Sequence, residues 1–417
     1  MRRRFLVWAA ALVLAALLLP PAARAAPEGC TRQPVDLVLV LDDSGSMGRA
    51  TEEQNDPDNL RITAAHLMAD LLDPADRVGL VLFAHELRQV TPLTPAGAPA
   101  LHEHIERFRT EGGTRLDLAL EAGLNQLAQS AGRTRAVLFL TDGRPDTDPE
   151  GQRIRLLELA AKARSMDAAL YVIGLGPNYD RELLEQVTTV SQSQQLWHVV
   201  QPEHLSTAFL EILRALKGLN IETATDGRVA VLGLSPEVRF AALRPGQGEP
   251  VTVEWPGGEL VSRAAAPATA PGVLYGYDLI TYKPRTQGPG TATAQAPVLW
   301  KIERPPVAAR FLEPGARAEV DSGEALPVRL ELAPCGGADL PAGLKATVQV
   351  LDADRKPTPY QAELTGSVAS FTGDLPMPPE AGTFVLSARI LTAEGRQVTV
   401  AEQTVTATPR SRWLLEA

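Results

Sequence analysis

The sequence predicts an α/β unit with a doubly wound, mostly parallel sheet, followed by C-terminal β-sandwich modules. Three observations carry that expectation. Between residues 34 and 217, short runs that are apolar throughout alternate with segments of helical periodicity. Strands without polar alternation are buried on both faces, which is the signature of a parallel sheet covered by helices on each side. After Gly218 the helical spacing disappears and short alternating runs take over, as expected of antiparallel β modules. At 417 residues, with 45% apolar and 22% charged residues, the chain has room for two or three domains and a composition ordinary for folded ones.

The elements follow in order. Residues 35–41 form an apolar strand. Residues 59–72 carry apolar side chains at 60, 64, 67, 68, 71 and 72, which is helical spacing. Asp58 or Asn59 can cap that helix, and Asp73-Pro74 stops it. Residues 77–83 read as a strand and 86–91 as a short edge strand closed by proline. Residues 116–128 read as a helix, 135–141 as a strand, 150–165 as a helix, 168–174 as a strand, 181–187 as a helix and 196–200 as a last strand. Pro202 opens a final helix with apolar residues at 205, 209, 212, 213 and 216. Beyond it, 228–234, 237–243, 251–255, 275–282 and 298–303 read as strands, and the Ala/Pro-rich 264–272 and Gly/Thr-rich 286–295 as loops. Pro305-Pro306 is a linker. A second β-rich block spans 309–410, with a hairpin in which Phe384, Leu386, Ala388 and Ile390 alternate and Glu394-Gly395 turns into Val398 and Val400. The expected divisions are 1–25, 34–217, 218–306 and 309–410, the last two as small sandwiches only loosely immunoglobulin-like. One larger β domain is the alternative.

The chemistry concentrates at strand ends. Asp42-Asp43-Ser44-Gly45-Ser46 follows the first apolar strand, so a buried strand ends in a loop offering a carboxylate and two hydroxyls, with Gly45 permitting a tight turn. Gly112-Gly113-Thr114 adds a hydroxyl just before a helix. Asp142 adds a carboxylate after the strand 135–141 and before Gly143. All the donors are oxygen, which suits hard divalent cations that retain waters or an outside ligand. Parallel sheets bind ligands at the carboxyl ends of their strands, where both aspartates stand.

That set resembles the metal-ion-dependent adhesion site of the von Willebrand factor A-type domain, whose pattern is Asp-x-Ser-x-Ser, a distant Thr and a later Asp. The roles fall on Asp42, Ser44, Ser46, Thr114 and Asp142, supported by Gly45, Gly112, Gly113 and Gly143. The resemblance covers roughly residues 34–217 and implies a von Willebrand A-like, Rossmann-type fold holding Mg²⁺ (or Mn²⁺ or Ca²⁺). Ser44, Ser46 and Thr114 would be direct ligands, and Asp42 and Asp142 direct or water-mediated ones. It implies a protein partner that completes the shell with a carboxylate, and a last helix that moves when the cation exchanges ligands.

The N-terminus reads as a secretory signal: Arg2-Arg3-Arg4, an apolar stretch over 5–19, and Ala23-Arg24-Ala25 as a cleavage site. No later segment is apolar enough to span a bilayer, so the expected mature protein is secreted or extracytoplasmic. The whole chain carries a net charge of −10, and without the four arginines before residue 26 it stands at −14. That argues against a nucleic-acid partner, which requires a basic face. Cys30 and Cys335 are the two cysteines; their separation excludes a CxxC pair, and one disulfide or two buried thiols remain open.

Enzymatic readings fare poorly. Residue 44 is serine where a haloacid-dehalogenase-like phosphatase needs its second aspartate, and His85-Glu86-Leu87-Arg88-Gln89 lacks the second histidine of a zinc protease. His102 and His104 stand two apart, hence on different sides of a helix, and read as solvated surface histidines. Glu52, Glu53, Asp56 and Asp58 read as a solvated acidic loop beside the cation loop. The expectation is a non-enzymatic adhesion or ligand-binding protein. The alternatives are an ancillary subunit of an extracytoplasmic complex and, remotely, a phosphohydrolase-like enzyme.

Overall fold

Strand β1 (Val35–Asp42) is buried along its whole length, and its side chains alternate between two separate cores. Val35, Leu37, Leu39 and Leu41 enter one, Val38 and Val40 the other. This is the two-sided burial that an unbroken apolar run anticipates. The computed structural model describes residues 33–48, 54–192, 196–224, 226–231, 235, 237–245, 252–255, 259–262, 275–282, 290–294, 298–315, 318–335, 340–353, 355–367 and 369–409. The signal-sequence expectation, Cys30, Glu52 and Glu53 lie outside them.

After β1 come α1 (Leu60–Leu71), β2 (Arg77–Phe83), β3 (Leu87–Pro95), α2 (Pro99–Ile105), α3 (Leu116–Gln126), β4 (Thr134–Thr141), α4 (Pro149–Ser165), β5 (Ala168–Leu175), α5 (Arg181–Ser191), β6 (Leu196–Val199) and α6 (Leu205–Lys217). The sheet order is β3-β2-β1-β4-β5-β6. Only β3 runs antiparallel, at the edge where Pro92 withholds no needed N–H. Helices α1, α2 and α6 cover one face, and α3, α4 and α5 the other.

Two local expectations are corrected. Neither Asp58 nor Asn59 caps α1: Asn59 sits at the cap in a left-handed conformation, and its side chain accepts from Arg61 Nη1 at 2.9 Å instead of from the helix N–H groups. Asp56 does the work, accepting from the N–H groups of Leu60 at 2.7 Å and Arg61 at 3.1 Å. Helix α2 was not anticipated, because its seven residues follow a Pro/Gly-rich stretch and are too few to show a period.

The second region holds β7 (Asn220–Ala224), β8 (Arg228–Val231), β9 (Val238–Pro245), β10 (Thr252–Trp255), β11 (Glu259–Ser262), β12 (Tyr275–Tyr282), β13 (Gly290–Ala294) and β14 (Leu299–Glu303). They form two four-stranded sheets, β12-β9-β14-β7 and β11-β10-β13-β8. Phe240, Ile280, Val253 and Leu299 share the core between them. Strand β13 corrects the loop reading of 286–295: Ala292 is buried, but alternating Gly, Thr and Ala carry little hydrophobic signal. The opposite face of β12-β9-β14-β7 is not solvent-facing. Ala241, Tyr277, Trp300 and Ile302 join the core beneath α1 and α6. The junction is reinforced by Arg239 Nη1 donating to Leu71 O at 3.0 Å and Arg304 Nη2 to Asp73 Oδ1 at 2.5 Å.

The third region comprises β15 (Val307–Glu313), β16 (Ala318–Asp321), β17 (Ala325–Pro334), β18 (Lys345–Leu351), β19 (Pro357–Ser367), β20 (Ser370–Pro376), β21 (Gly382–Leu391) and β22 (Gln397–Thr408). They form one curled sheet in the order β15-β17-β20-β19-β18-β21-β22-β16, closed on a core that includes Leu330, Val348, Leu386 and Val405. The β21–β22 hairpin is the one anticipated from its alternation. Cys335 is disulfide-bonded.

Candidate cation site at the strand ends

Asp42 ends β1, Asp142 follows β4, and Thr114 precedes α3, so three loops meet at the carboxyl edge of the parallel sheet. The loops are tied to each other through backbone: Gly45 N–H donates to Gly112 O at 2.9 Å and Glu111 N–H to Asp43 O at 3.2 Å. Gly112 has φ of +79°, which a side chain would strain.

The oxygens converge. Ser44 and Ser46 hydroxyls stand 3.2 Å apart, and Ser46 Oγ donates to Asp142 Oδ1 at 2.9 Å. The Thr114 hydroxyl lies against Gly143, where a Cβ would come within 2.8 Å of Thr114 Oγ1. Asp42 takes the Ser44 N–H at 2.8 Å and the Thr141 hydroxyl at 2.5 Å. Burial and the adjacent Asp142 charge push the Asp42 carboxyl up to about 7, against hydrogen bonds from Ser44 and Thr141 that pull it down. Two buried carboxylates within electrostatic reach of one another, with hydroxyls beside them, make an all-oxygen set of a kind that suits a hard divalent cation. Among the described residues no group of three or more His, Cys, Asp or Glu is placed to hold a metal.

Sequence reasoning missed the supporting residues. Asn55 Nδ2 donates to Asp142 Oδ2 at 2.9 Å, fixing the carboxylate from a loop with no motif. Asp43 accepts the backbone N–H groups of Arg109 at 2.8 Å and Thr110 at 3.0 Å, and so holds the Thr114 loop against the β1 loop. Arg61 spans Asp43 at 3.2 Å and Asp56 at 2.7 Å, all three side chains fully buried. Asp56 is therefore not part of a solvated acidic loop. His102 and His104 are not free surface histidines either: His104 Nδ1 bonds Thr91 Oγ1 at 2.9 Å, and His102 bonds His66. Asp146 Oδ2 accepts the Thr114 N–H at 2.9 Å.

The von Willebrand factor type A domain model matches residues 36–209. The chain carries an A-type domain. An uncharacterised Synechocystis protein is 27% identical over 227 residues, 54% of this chain and 50% of that one. Inter-alpha-trypsin inhibitor heavy chain H1 of Mesocricetus auratus is 30% identical over 171 residues, 38% of this chain and 18% of that one. The chain thus spans half or less of these curated relatives. A von Willebrand factor type A structure from Catenulispora acidiphila aligns at TM-score 0.40 and 17% identity, covering 74% of this chain and 64% of that one.

Proposed function

We propose that this chain is an extracytoplasmic, non-enzymatic binding protein that engages a protein partner through a divalent cation at the A-type strand-end site. The observation that supports the reading is the meeting of three loops at one sheet edge, where the Ser46 hydroxyl bonds Asp142 and stands 3.2 Å from that of Ser44, and the Thr114 hydroxyl lies against Gly143 beside Asp142. Ser44, Ser46 and Thr114 would hold the cation directly, and Asp42 and Asp142 directly or through water. Mg²⁺ is the first choice, with Mn²⁺ or Ca²⁺ also fitting an oxygen set. A cation held there would supply a positive centre to which a partner's acidic group could bind. The location rests on the N-terminal signal reading. No helix among the described residues is long and apolar enough to cross a membrane.

A second reading, an ancillary subunit whose A-type domain only packs, draws on the burial of Tyr277 and Trp300 against α1 and α6. Two measurements separate them. Calorimetric titration with MnCl₂ should show one site, lost in Asp42→Ala and in Asp142→Ala. Pull-down from a secreted or surface fraction should then lose its partner on adding EDTA. Binding of Mn²⁺ unchanged in both variants would remove the cation reading, and an EDTA-insensitive partner would favour the packing role.

A further inference from the structure

His66 on α1 and His102 on α2 face each other edge to edge. Their Nδ1 atoms are 2.6 Å apart, the ring planes differ by 8°, and the ring centroids are 4.9 Å apart. That centroid separation equals the nitrogen distance plus the two ring radii, so the nitrogens meet head-on in one plane. A shared metal would hold two imidazole nitrogens about 3.3 Å apart at ordinary Zn–N lengths, so this gap fits a proton and not a metal. One N–H, donating to the other ring's lone pair, satisfies the contact; two facing N–H groups cannot occupy it.

The far nitrogens extend the chain in both directions. His102 Nε2 lies 3.0 Å from Asp70 Oδ1, and His66 Nε2 lies 3.8 Å from Glu106 Oε1 at the end of α2. The second Asp70 oxygen accepts the hydroxyl of Tyr277, which is buried on β12 of the following sandwich. Asp70 therefore bonds α2 through one oxygen and the sandwich through the other. We propose that the His66–His102 pair is a proton-operated latch joining α1, α2 and the first β-sandwich, closed by one facing proton and opened by two.

The surroundings set the direction. Burial, and then the charge of His102, hold His66 down at about 4, against a smaller upward pull from Asp70. Burial raises Asp70, but the bonds from His102 and Tyr277 outweigh it and keep it ionised. Burial and the Asp70 charge raise Tyr277, which stays a donor. Of the other charged groups on elements packed against α1, Lys217 on α6 is bound to Asp73 and Asp76, Arg239 to Glu237, and Arg304 to Asp73. Glu203 and His204, ahead of α6, are exposed. His66 in the closed form titrates below its ordinary 6.5, so the closed form is favoured above pH 6.5 and loses ground as pH falls towards 4. The full window corresponds to about 300-fold in the closing equilibrium. Helix α2 leads into the segment that ends at Thr114, so opening the latch also loosens the loop at the strand-end site; only this consequence rests on the cation reading.

The test is backbone amide exchange of the full chain between pH 7 and 4, corrected for intrinsic rate and referenced to β4. The wild type should lose at least tenfold protection over residues 99–105 below pH 6, and His66→Gln, whose amide oxygen still accepts from His102 and does not titrate, should show no such acid step. A wild type whose α2 protection is flat to pH 4, or a His66→Gln variant with the same acid step, overturns the latch. If His66→Gln does not fold, the NMR titration of the wild-type His66 ring decides: a midpoint near 4 supports the shared proton, and a midpoint near 6.5 refutes it.

Discussion

The Arg61 guanidinium donates to the Asp43 carboxylate at 3.2 Å, and neither side chain reaches solvent. Arg61 also reaches Asp56 at 2.7 Å, so one cation from α1 neutralises two acids beneath the strand-end loops. Burial alone would lower the Arg61 pKa, but Asp56 and Asp43 raise it instead, so it stays charged. Removing it leaves two buried acids without a counterion. Arg61→Met should cost about 3–5 kcal/mol, the usual penalty for breaking a buried pair from one side. Urea unfolding measures it, and a loss under about 1 kcal/mol would contradict the buried cluster.

Gly143 offers a more selective probe of the site. A Cβ there would stand 2.8 Å from Thr114 Oγ1 and 2.9 Å from its Cγ2. Gly143→Ala must therefore displace Thr114 while leaving both carboxylates in place. Mn²⁺ affinity should fall about 10–100-fold, the range typical when a ligand loses its supporting geometry. Affinity unchanged by calorimetry, with Thr114 displaced, would remove Thr114 from the donor set.

Much of the fold is readable from the chain because the central strands of the first sheet are mostly apolar runs, and the candidate donor residues follow two of them directly. Asp42, Ser44, Ser46 and Asp142 lie within a few residues of β1 and β4, so locating the strands located them. What escaped the sequence depends on contacts between distant segments. Asn55 reaches Asp142 across 87 positions, and no local pattern marks it. Asp56 resembled a surface acid because its partner Arg61 reads as one more polar residue on a helix. Tyr277 and Trp300 alternate as sandwich residues should, yet their face meets α1 rather than water. Alternation identifies a strand's two faces and is silent on what covers the second.

Asp36 predicts an acid limb in the stability profile. Burial raises its pKa, but Arg77, Ser130 and Arg133 outweigh it and bring the carboxyl down to about 2. Arg77 Nε is 2.8 Å and Arg133 Nε 2.6 Å from Asp36 Oδ1. A carboxylate depressed in the folded state stabilises fully above its unfolded value of 3.8, and the contribution is lost as pH falls to about 2. Asp36→Asn should cost about 2 kcal/mol at pH 7 and nearly nothing at pH 2. A cost independent of pH between 5 and 2 would show that packing, not charge, is what Asn loses.

Cys335 is disulfide-bonded, and Cys30 is the sequence's other cysteine. We propose that the two pair, tying the segment ahead of β1 to the third region. Loop-closure entropy sets an upper bound of roughly 5–6 kcal/mol on the stabilisation from so long a loop. Intact mass of the purified protein after alkylation without reductant should show no modified thiol. Two alkylated cysteines would rule the bridge out.

Lys217 predicts where the last helix of the A-type domain is held. Its ammonium lies 2.8 Å from Asp73 Oδ2 and 3.0 and 2.8 Å from the two oxygens of Asp76. Asp76 is fully buried and also accepts the N–H of Val35 at the start of β1 and that of Asp73. The final residue of α6 is thus fastened to the base of the sheet, and Arg304 of the β-sandwich holds the same Asp73. A slide of α6 by one turn, about 5.4 Å, would break every one of these lysine contacts. The apolar stripe of Leu205, Phe209, Ile212, Leu213 and Leu216 permits docking but not a unique register; the lysine supplies the register. Lys217→Met keeps the stem's packing and removes the charge, so it should cost about 3 kcal/mol with Asp76 left uncompensated. The loss should be local as well as global. Amide exchange over Leu205–Lys217 should rise by more than exchange over Thr134–Thr141 in the same variant. Equal increases in both segments would mean that Lys217 contributes only bulk stability and that the hydrophobic stripe alone sets the position of the helix.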